Sequence, residues 1–479
     1  VPAGGVVILG MCSIVGLHVP LDSPDRRDIG FISAFQSFLA RGRERGRDGF
    51  GYVASTRWGA VTASKILPGD VDIRTAPASV LVDERDVASA STLIANFRAE
   101  PTTEFVSHKT LDDQQPYGAG DWWIVHNGTI ANDKELLAEC RFSPPGRGVD
   151  SWAVAAILHS SGASDGDTCY RAIMRLVGGM ALGLLRSRRG EAPDLYLYRN
   201  FEPLYLWWLP RYGCYVFSSV AESAQEEFGP EVCEIYVPPY SFVSRLGAGG
   251  RVSIRRDEKP NDSRAVVICS GGLDSTTAAK VATMECDDVT IMYFRYGCQA
   301  EDREVEAVGK IARSLGCRDV YMDMSWLKAL GGCPLLDPEG RISGPEAGAE
   351  YAHEWVHARN TAMIGMAAAW CDRYDVGRIY LGLNLEEAGA YQDNTTEFYR
   401  LFGRVLDCGT RSRPRILNPC ANLTKKEIVE LALRIGAPIE HSWSCYRGGP
   451  THCGRCGPCY MRKTAFRMLG RQDMIRYAE

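Results

Sequence analysis

Ala265-Val266-Val267-Ile268-Cys269-Ser270-Gly271-Gly272-Leu273-Asp274-Ser275 decides the fold of the C-terminal half of the chain. Its first five residues are a short apolar run of the kind that forms a buried parallel strand, and they lead without a spacer into a Ser/Gly turn. Residues 276–284 then read as a helix. Two adjacent glycines let the backbone turn tightly, so that its N–H groups and the N-terminus of the next helix face an anion. Strand, cradle and helix in this order predict a phosphate site; the plain alternative is a ligand-free βα turn. The loop lacks the Gly-Lys-Ser/Thr ending of a Walker-type P-loop, so transfer of the γ-phosphate is not the expected chemistry.

Downstream, residues 289–294 read as a second apolar strand and residues 300–315 as a helix of good helix formers. This alternation predicts an α/β domain with a doubly wound parallel sheet and its ligand at the carboxyl ends of the strands. At 479 residues the chain exceeds what one hydrophobic core normally serves, so two domains are expected. The polar run Arg255-Arg256-Asp257-Glu258-Lys259-Pro260-Asn261-Asp262 lacks apolar periodicity and marks the seam. It places a linker at 251–264, between domains at 12–250 and 265–479.

Hydrophobic residues make up 45% of the chain and charged residues 24%, which argues against disorder or a fibrous repeat. A formal net charge of −5 argues against a protein that coats nucleic acid non-specifically. No stretch approaches the roughly 18 apolar residues of a membrane span. The opening VPAGGVVILG lacks the charged start of a signal peptide, so a cytoplasmic location without a membrane partner is expected.

Of 17 cysteines only the last four cluster, as Cys445, Cys453, Cys456 and Cys459 in a C-x7-C-x2-C-x2-C pattern. Four thiolates at this spacing can wrap a tetrahedral Zn²⁺ and leave no open position for water, so the metal is expected to be structural. An iron–sulfur cluster is the competing reading of the same thiolates. Gly454 and Gly457 suit the turns between ligands, and Arg447, Arg455, Arg462 and Lys463 are expected to offset the thiolate charge. His452 is expected to face solvent.

SGGLDS resembles the signature of the ATP-pyrophosphatase (PP-loop) superfamily, whose members transfer AMP to an acceptor oxygen. Five further segments follow it: Tyr296-Gly297-Cys298-Gln299, His357-Ala358-Arg359-Asn360-Thr361, Leu381-Gly382-Leu383-Asn384, Thr424-Lys425-Lys426-Glu427-Ile428 and the cysteine-rich ending. Together they resemble the QueC family, the 7-cyano-7-deazaguanine synthases, over residues 265–468. The resemblance implies adenylation of the carboxylate of 7-carboxy-7-deazaguanine, capture by ammonia to the amide, and dehydration to the nitrile with a second ATP. It implies that Ser270, Gly271, Gly272, Leu273, Asp274 and Ser275 hold pyrophosphate and its Mg²⁺, with Arg359 and Asn360 near the nucleotide. The cofactors implied are ATP, Mg²⁺ and Zn²⁺. Where the family has Y-P-D-C-R this chain has Tyr391-Gln392-Asp393-Asn394-Thr395, which leaves Tyr391 and Asp393 to hold the base. His357 likewise stands where the family has proline.

In the N-terminal half Met11-Cys12-Ser13, Arg45-Gly46-Arg47-Asp48-Gly49, Asn96-Phe97-Arg98-Ala99-Glu100-Pro101-Thr102 and His126-Asn127-Gly128-Thr129 occur in series. This series resembles the class II glutamine amidotransferases, N-terminal-nucleophile (Ntn) hydrolases in which two antiparallel sheets pack between helices as an αββα sandwich. A cysteine that becomes the first residue has its own α-amine as base, and that amine titrates near neutrality. The resemblance implies Cys12 as nucleophile on glutamine, Asn127 and the Gly128 backbone as oxyanion hole, and Arg98 and Asp150 as ligands of glutamine's carboxylate and amine. It also implies that residues 1–11 are a removed leader or a mis-assigned start, because an intact leader would spend the amine in a peptide bond. Ser13 replaces the family's glycine. The basic run from Arg41 to Arg47 overlaps the family's R-G-x-D-G loop, a plainer reading than an RNA patch.

Three captors of the adenylate stay open. Ammonia drawn from glutamine gives an amide or nitrile. A protein N-terminus would make the chain a protein-modifying ligase, as in antiphage-defence systems that carry QueC-like proteins. The archaeal fusion that amidates 7-cyano-7-deazaguanine in tRNA to archaeosine has the same domain order, but no appended RNA-binding module is visible. QueC-like domains are often dimeric, so a homodimer is implied.

Overall fold

The computed structural model describes residues 12–67, 69–99, 110–145, 149–221, 223–257, 261–342 and 354–478. The expected leader at 1–11 and Glu100-Pro101-Thr102 lie outside the described residues. The chain divides into two compact units, Val1–Asp257 and Glu258–Glu479.

The first unit holds β1 (Ser13–His18), β2 (Gly49–Thr56), β3 (Val61–Ile66), β4 (Ala90–Arg98), β5 (Tyr117–Ala119), β6 (Trp122–Ile130) and β7 (Gly178–Arg186). It continues with β8 (Asp194–Arg199), β9 (Tyr205–Leu209), β10 (Cys214–Ser218), β11 (Cys233–Ile235), β12 (Ser241–Gly247) and β13 (Arg251–Arg256). They form two sheets, ordered β11-β9-β10-β1-β4-β2-β3 and β13-β12-β8-β7-β6-β5. Neighbouring strands run antiparallel throughout.

Strand alternation assigns each side chain its layer. Ile14, Val53, Ile94 and Phe217 of one sheet meet Val125, Leu185, Leu197 and Val243 of the other in a shared core. The outward neighbours Val15, Leu17, Leu93 and Ala95 pack under Phe31, Phe35 and Phe38 of the helix Ile29–Ala40. On the far side Ile124, Leu182 and Leu184 pack under Trp152, Val154 and Ile157 of the helix Trp152–Ser160. The unit is therefore layered helix, sheet, sheet, helix, and the central strands of both sheets are buried on both faces.

Residues 251–256, expected as linker, instead form β13, the edge strand beside β12. An edge strand pairs on one side only and tolerates charge on its open side, so Arg251, Arg255 and Arg256 read as linker in the sequence.

The second unit holds β14 (Arg264–Ile268), β15 (Asp288–Arg295), β16 (Arg318–Asp323), β17 (Arg378–Tyr380) and β18 (Arg415–Leu417). They form one parallel sheet ordered β16-β15-β14-β17-β18. Val267 and Ile291 face Ala279 and Ala282 of the helix Leu273–Glu285 and Val308 and Ile311 of the helix Glu301–Leu315. Val266, Met292 and Ile379 face Ile364, Ala367 and Cys371 of the helix Arg359–Tyr374 on the other side. The sheet is doubly wound, and its strand order reverses between β14 and β17, where such folds open a crevice at the strand carboxyl ends.

Candidate active site and metal centre

The helix expected from residue 276 starts at Leu273, with Gly272 as its N-cap. Leu273, Asp274 and Ser275 thus form the first helical turn, and the helix N-terminus belongs to the cradle itself. Gly271 has φ +76°, and a Cβ there would lie 3.0 Å from the Glu304 carbonyl and 3.1 Å from Ala307 Cβ. From the β17 side Gly382 comes so close that a Cβ would sit 2.5 Å from the Ser275 nitrogen. The two loops can meet at the switch point only because both positions lack side chains.

Asp274 is buried in the first turn. Its Oδ2 accepts from Lys425 Nζ at 2.6 Å and from Asn384 Nδ2 at 2.7 Å. Its Oδ1 is buried with no hydrogen-bond partner among the described residues. A buried carboxylate oxygen without a donor fits an oxygen-seeking cation such as Mg²⁺. Lys425 is the first residue of the helix Lys425–Ile435, which Thr424 and Glu427 cap reciprocally. Burial opposes its charge, but the Asp274 and Glu387 carboxylates outweigh that and raise its pKa. The segment Thr424–Ile428 names no role for Lys425 by itself; its local signal is the capping box that fixes where the helix starts.

One cavity is lined by Ser270, Gly272, Leu273, Asp274 and Ser275 together with Arg359, Asn360, Lys425, Glu387 and Asn394. Arg359 Nη1 lies 3.5 Å from the Tyr296 hydroxyl, which it meets as donor. Asn360 Nδ2 donates to Asn394 Oδ1 at 2.9 Å, and Asn394 Nδ2 donates to Glu387 Oε2 at 3.4 Å. Glu387 Oε1 lies 3.6 Å from Lys425 Nζ. A polar chain therefore runs from Asn360 to Asp274 through Asn394, the residue that replaces the family's cysteine. Of residues 391–395 it is Asn394 that reaches the cavity wall. Tyr391 stacks on Trp355 with ring centroids 6.2 Å apart and planes 10° from parallel, and Asp393 is buried beside Asn360.

The Sγ atoms of Cys445, Cys453, Cys456 and Cys459 all lie within 4.8 Å of one another. Backbone N–H groups of Arg447 and Cys453 point at Cys445 Sγ at 3.3 and 3.4 Å, and those of Arg455 and Cys456 at Cys453 Sγ at 3.4 and 3.3 Å. Donors aimed at sulfur favour thiolates, and the donor set fits Zn²⁺. Two expectations are corrected here. His452 is buried, with Nε2 accepting from Ser444 N at 3.1 Å and its ring 4.1 Å from that of Trp443. Arg462 does not offset thiolate charge: it is buried in a two-bond pair with Asp473 at 2.9 and 3.0 Å and bonds Ser442 and the Ile439 carbonyl. Both side chains turn inward because the knuckle packs against the chain's last turn.

Metal analysis is expected to find about one zinc per chain. Cys456→Ser should lose it and lower the second unit's thermal midpoint by about 10 °C or more, since each kcal/mol moves a domain of this size by about 2–4 °C. Asp473→Ala strands a buried guanidinium and is expected to cost about 3–5 kcal/mol in denaturant unfolding.

In the first unit Cys12, Arg98, Asn127, Gly128 and Asp150 line one cavity. They come from the start of β1, the end of β4, β6 and the residue before Ser151. Ala99 N donates to Cys12 Sγ at 3.4 Å, and Arg45 Nε donates to the Cys12 carbonyl at 3.3 Å. Burial pushes the Cys12 thiol up, against the Ala99 N–H and the Arg98 charge. Asp150 Oδ2 accepts from Ile130 N at 2.8 Å and Oδ1 from Ser151 Oγ at 3.2 Å, while Arg98 donates to the Asp113 carbonyl. Gly128 has φ +136° against the Gly179 carbonyl. No local pattern marks Glu202, which is buried in this cavity and accepts from Asn127 Nδ2 at 3.3 Å. The basic run is spent inside the unit: Arg41 pairs with Glu226 and Glu227, and Arg43 caps the Ala40 and Ala76 carbonyls.

Residues 264–470 match the family model described as "Queuosine biosynthesis protein QueC". The chain is 36% identical to the 7-cyano-7-deazaguanine synthase of Sulfolobus acidocaldarius, over 98% of this chain and 100% of that relative. It is also 36% identical to the 7-cyano-7-deazaguanine synthase 2 of Sulfurisphaera tokodaii, with the same coverage. The 7-cyano-7-deazaguanine synthase of Methanothrix thermoacetophila is 39% identical over 222 residues, 45% of this chain and 98% of that relative.

Proposed function

The chain belongs to the QueC family of ATP-dependent, C–N bond-forming 7-cyano-7-deazaguanine synthases, and from that premise we propose which substrates its two units take. The second unit adenylates the carboxylate of 7-carboxy-7-deazaguanine or a close relative, and ammonia released from glutamine by the first unit captures the adenylate. One observation carries the reading: a single cavity joins the Ser270–Ser275 loop, an Asp274 oxygen without a hydrogen-bond partner among the described residues, and two cations, the buried Lys425 and the half-buried Arg359.

The chemistry follows from leaving groups. A carboxylate resists amines because it is anionic and would have to expel oxide, whereas an acyl adenylate expels AMP. A carboxylate oxygen attacks the α-phosphorus of ATP, and the departing pyrophosphate meets the N–H groups of the loop and the Lys425 charge. Magnesium, when bound, would be held by Asp274 and would neutralise charge on that pyrophosphate. Asn394 on the cavity wall offers a planar base an amide donor and acceptor, with Tyr391, beside Trp355, and Asp393 as its immediate neighbours.

For the first unit, the gathering of Cys12, Asn127, Gly128, Arg98 and Asp150 on one cavity supports a glutaminase that works when Cys12 is the first residue. Incubation with the acid, ATP and glutamine should yield AMP, pyrophosphate and the amide or nitrile by mass spectrometry. An absence of both products would defeat the proposal.

A further inference from the structure

Glu304 lies in the first turn of the helix Glu301–Leu315, at the carboxyl end of β15, and lines the same cavity as the phosphate loop. Its main chain is fixed, because the Gly271 turn packs directly on its carbonyl. The residue is 7% exposed. The Tyr293 hydroxyl donates to Glu304 Oε2 at 2.8 Å, and the Cys298 thiol donates to the same oxygen at 3.6 Å. No donor reaches Oε1 among the described residues, so that oxygen is left to the cavity. The other carboxyls on the wall are ion-paired: Asp274 Oδ2 is held by Lys425 and Asn384, with Oδ1 assigned to a cation, and Glu387 is held by Asn394 and Lys425.

Adenylation moves no proton, since its nucleophile is a carboxylate. Capture does, because a neutral amine that adds to carbon becomes cationic and must shed one. We propose that Glu304 is the general base of the capture step, its Oε1 taking a proton from the amine as the amine attacks the acyl adenylate. The nitrogen lone pair forms the C–N bond, and the C–O bond to the phosphate breaks with its electron pair leaving on AMP. One N–H proton passes to Glu304, and its electron pair stays on nitrogen. This role rests on the adenylation reading above.

The surroundings suit such a base. Burial pushes the Glu304 carboxyl up to about 7, held back by Tyr293, Arg359 and Cys298, with Glu301 adding to the rise. Tyr296 from the same loop and Cys269 from the end of β14 complete the titratable neighbours. A base poised near neutrality is matched to its working pH.

The test uses the full chain with 7-carboxy-7-deazaguanine, ATP and ammonium chloride, at constant free-ammonia concentration. ATP–pyrophosphate exchange reports adenylation, and quenched amide formation reports capture. Glu304→Gln is expected to lower the ratio of capture to exchange by ~10²-fold and to abolish the rise of capture through about pH 7. An unchanged ratio would overturn the proposal. Should that variant fail to fold, Tyr293→Phe decides: loss of the hydrogen bond that favours the carboxylate must move the capture limb to higher pH, and an unmoved limb counts against Glu304. Absence of exchange in the wild type would instead remove the adenylation reading.

Discussion

Asp274→Asn is expected to slow ATP–pyrophosphate exchange by ~10²–10³-fold, the scale on which a lost charge-stabilising group acts. The carboxylate serves two sides at once. Oδ2 takes charged and neutral donors from Lys425 and Asn384, and Oδ1 is buried without a hydrogen-bond partner among the described residues. An asparagine either turns its amide NH₂ toward two donors or toward the place of a cation, and both orientations fail. It also leaves Lys425 with only the longer Glu387 contact at 3.6 Å, a buried cation short of a carboxylate. Circular dichroism and denaturant unfolding separate this stability loss from the catalytic one. If a folded Asp274→Asn protein exchanges pyrophosphate at the wild-type rate, the loop is not the nucleotide site.

Cys12→Ala is expected to remove glutamine-driven amide formation by ~10⁴-fold or more, as loss of a covalent nucleophile does. Ammonium chloride should restore product, because the defect lies in the supply of ammonia. The position of Cys12 adds a second arm. Burial raises the thiol pKa, so the thiolate needs an adjacent base, and an α-amine on Cys12 itself would supply it. Protein that starts at Cys12 should therefore hydrolyse glutamine, and protein that keeps residues 1–11 should not. Equal hydrolysis by both would point to a base other than the α-amine; hydrolysis by neither would mark the first unit as a binding domain.

What could be read directly from the chain was local. The run 265–275 carries strand, turn and helix start within eleven successive positions, and Gly271 must take a positive φ wherever that turn forms. The four cysteines sit close enough in sequence that spacing alone brings their sulfurs together. Asn127 and Gly128 are neighbours on β6, so their joint presence at a cavity needed little from the fold.

Tertiary structure decided what distance and burial decide. Asp274 and Lys425 are 151 residues apart, and only the reversal of strand order between β14 and β17 brings their helices to one crevice. Asn394 looked like a lost family residue until packing placed it between Asn360 and Glu387. Arg462 reads as a counter-charge to the thiolates and His452 as a solvent-facing group, and the fold buries them against Asp473 and Trp443. Arg251 to Arg256 read as linker because the openness of an edge strand exists only once a sheet has formed. The sequence by itself determined the strand, turn and helix start at 265–275, the clustering of the four cysteines and the presence of two units, since those features rest on neighbouring residues. The commitment of each charge, to a partner, a cavity or a metal, was settled only when long-range packing removed water from around it.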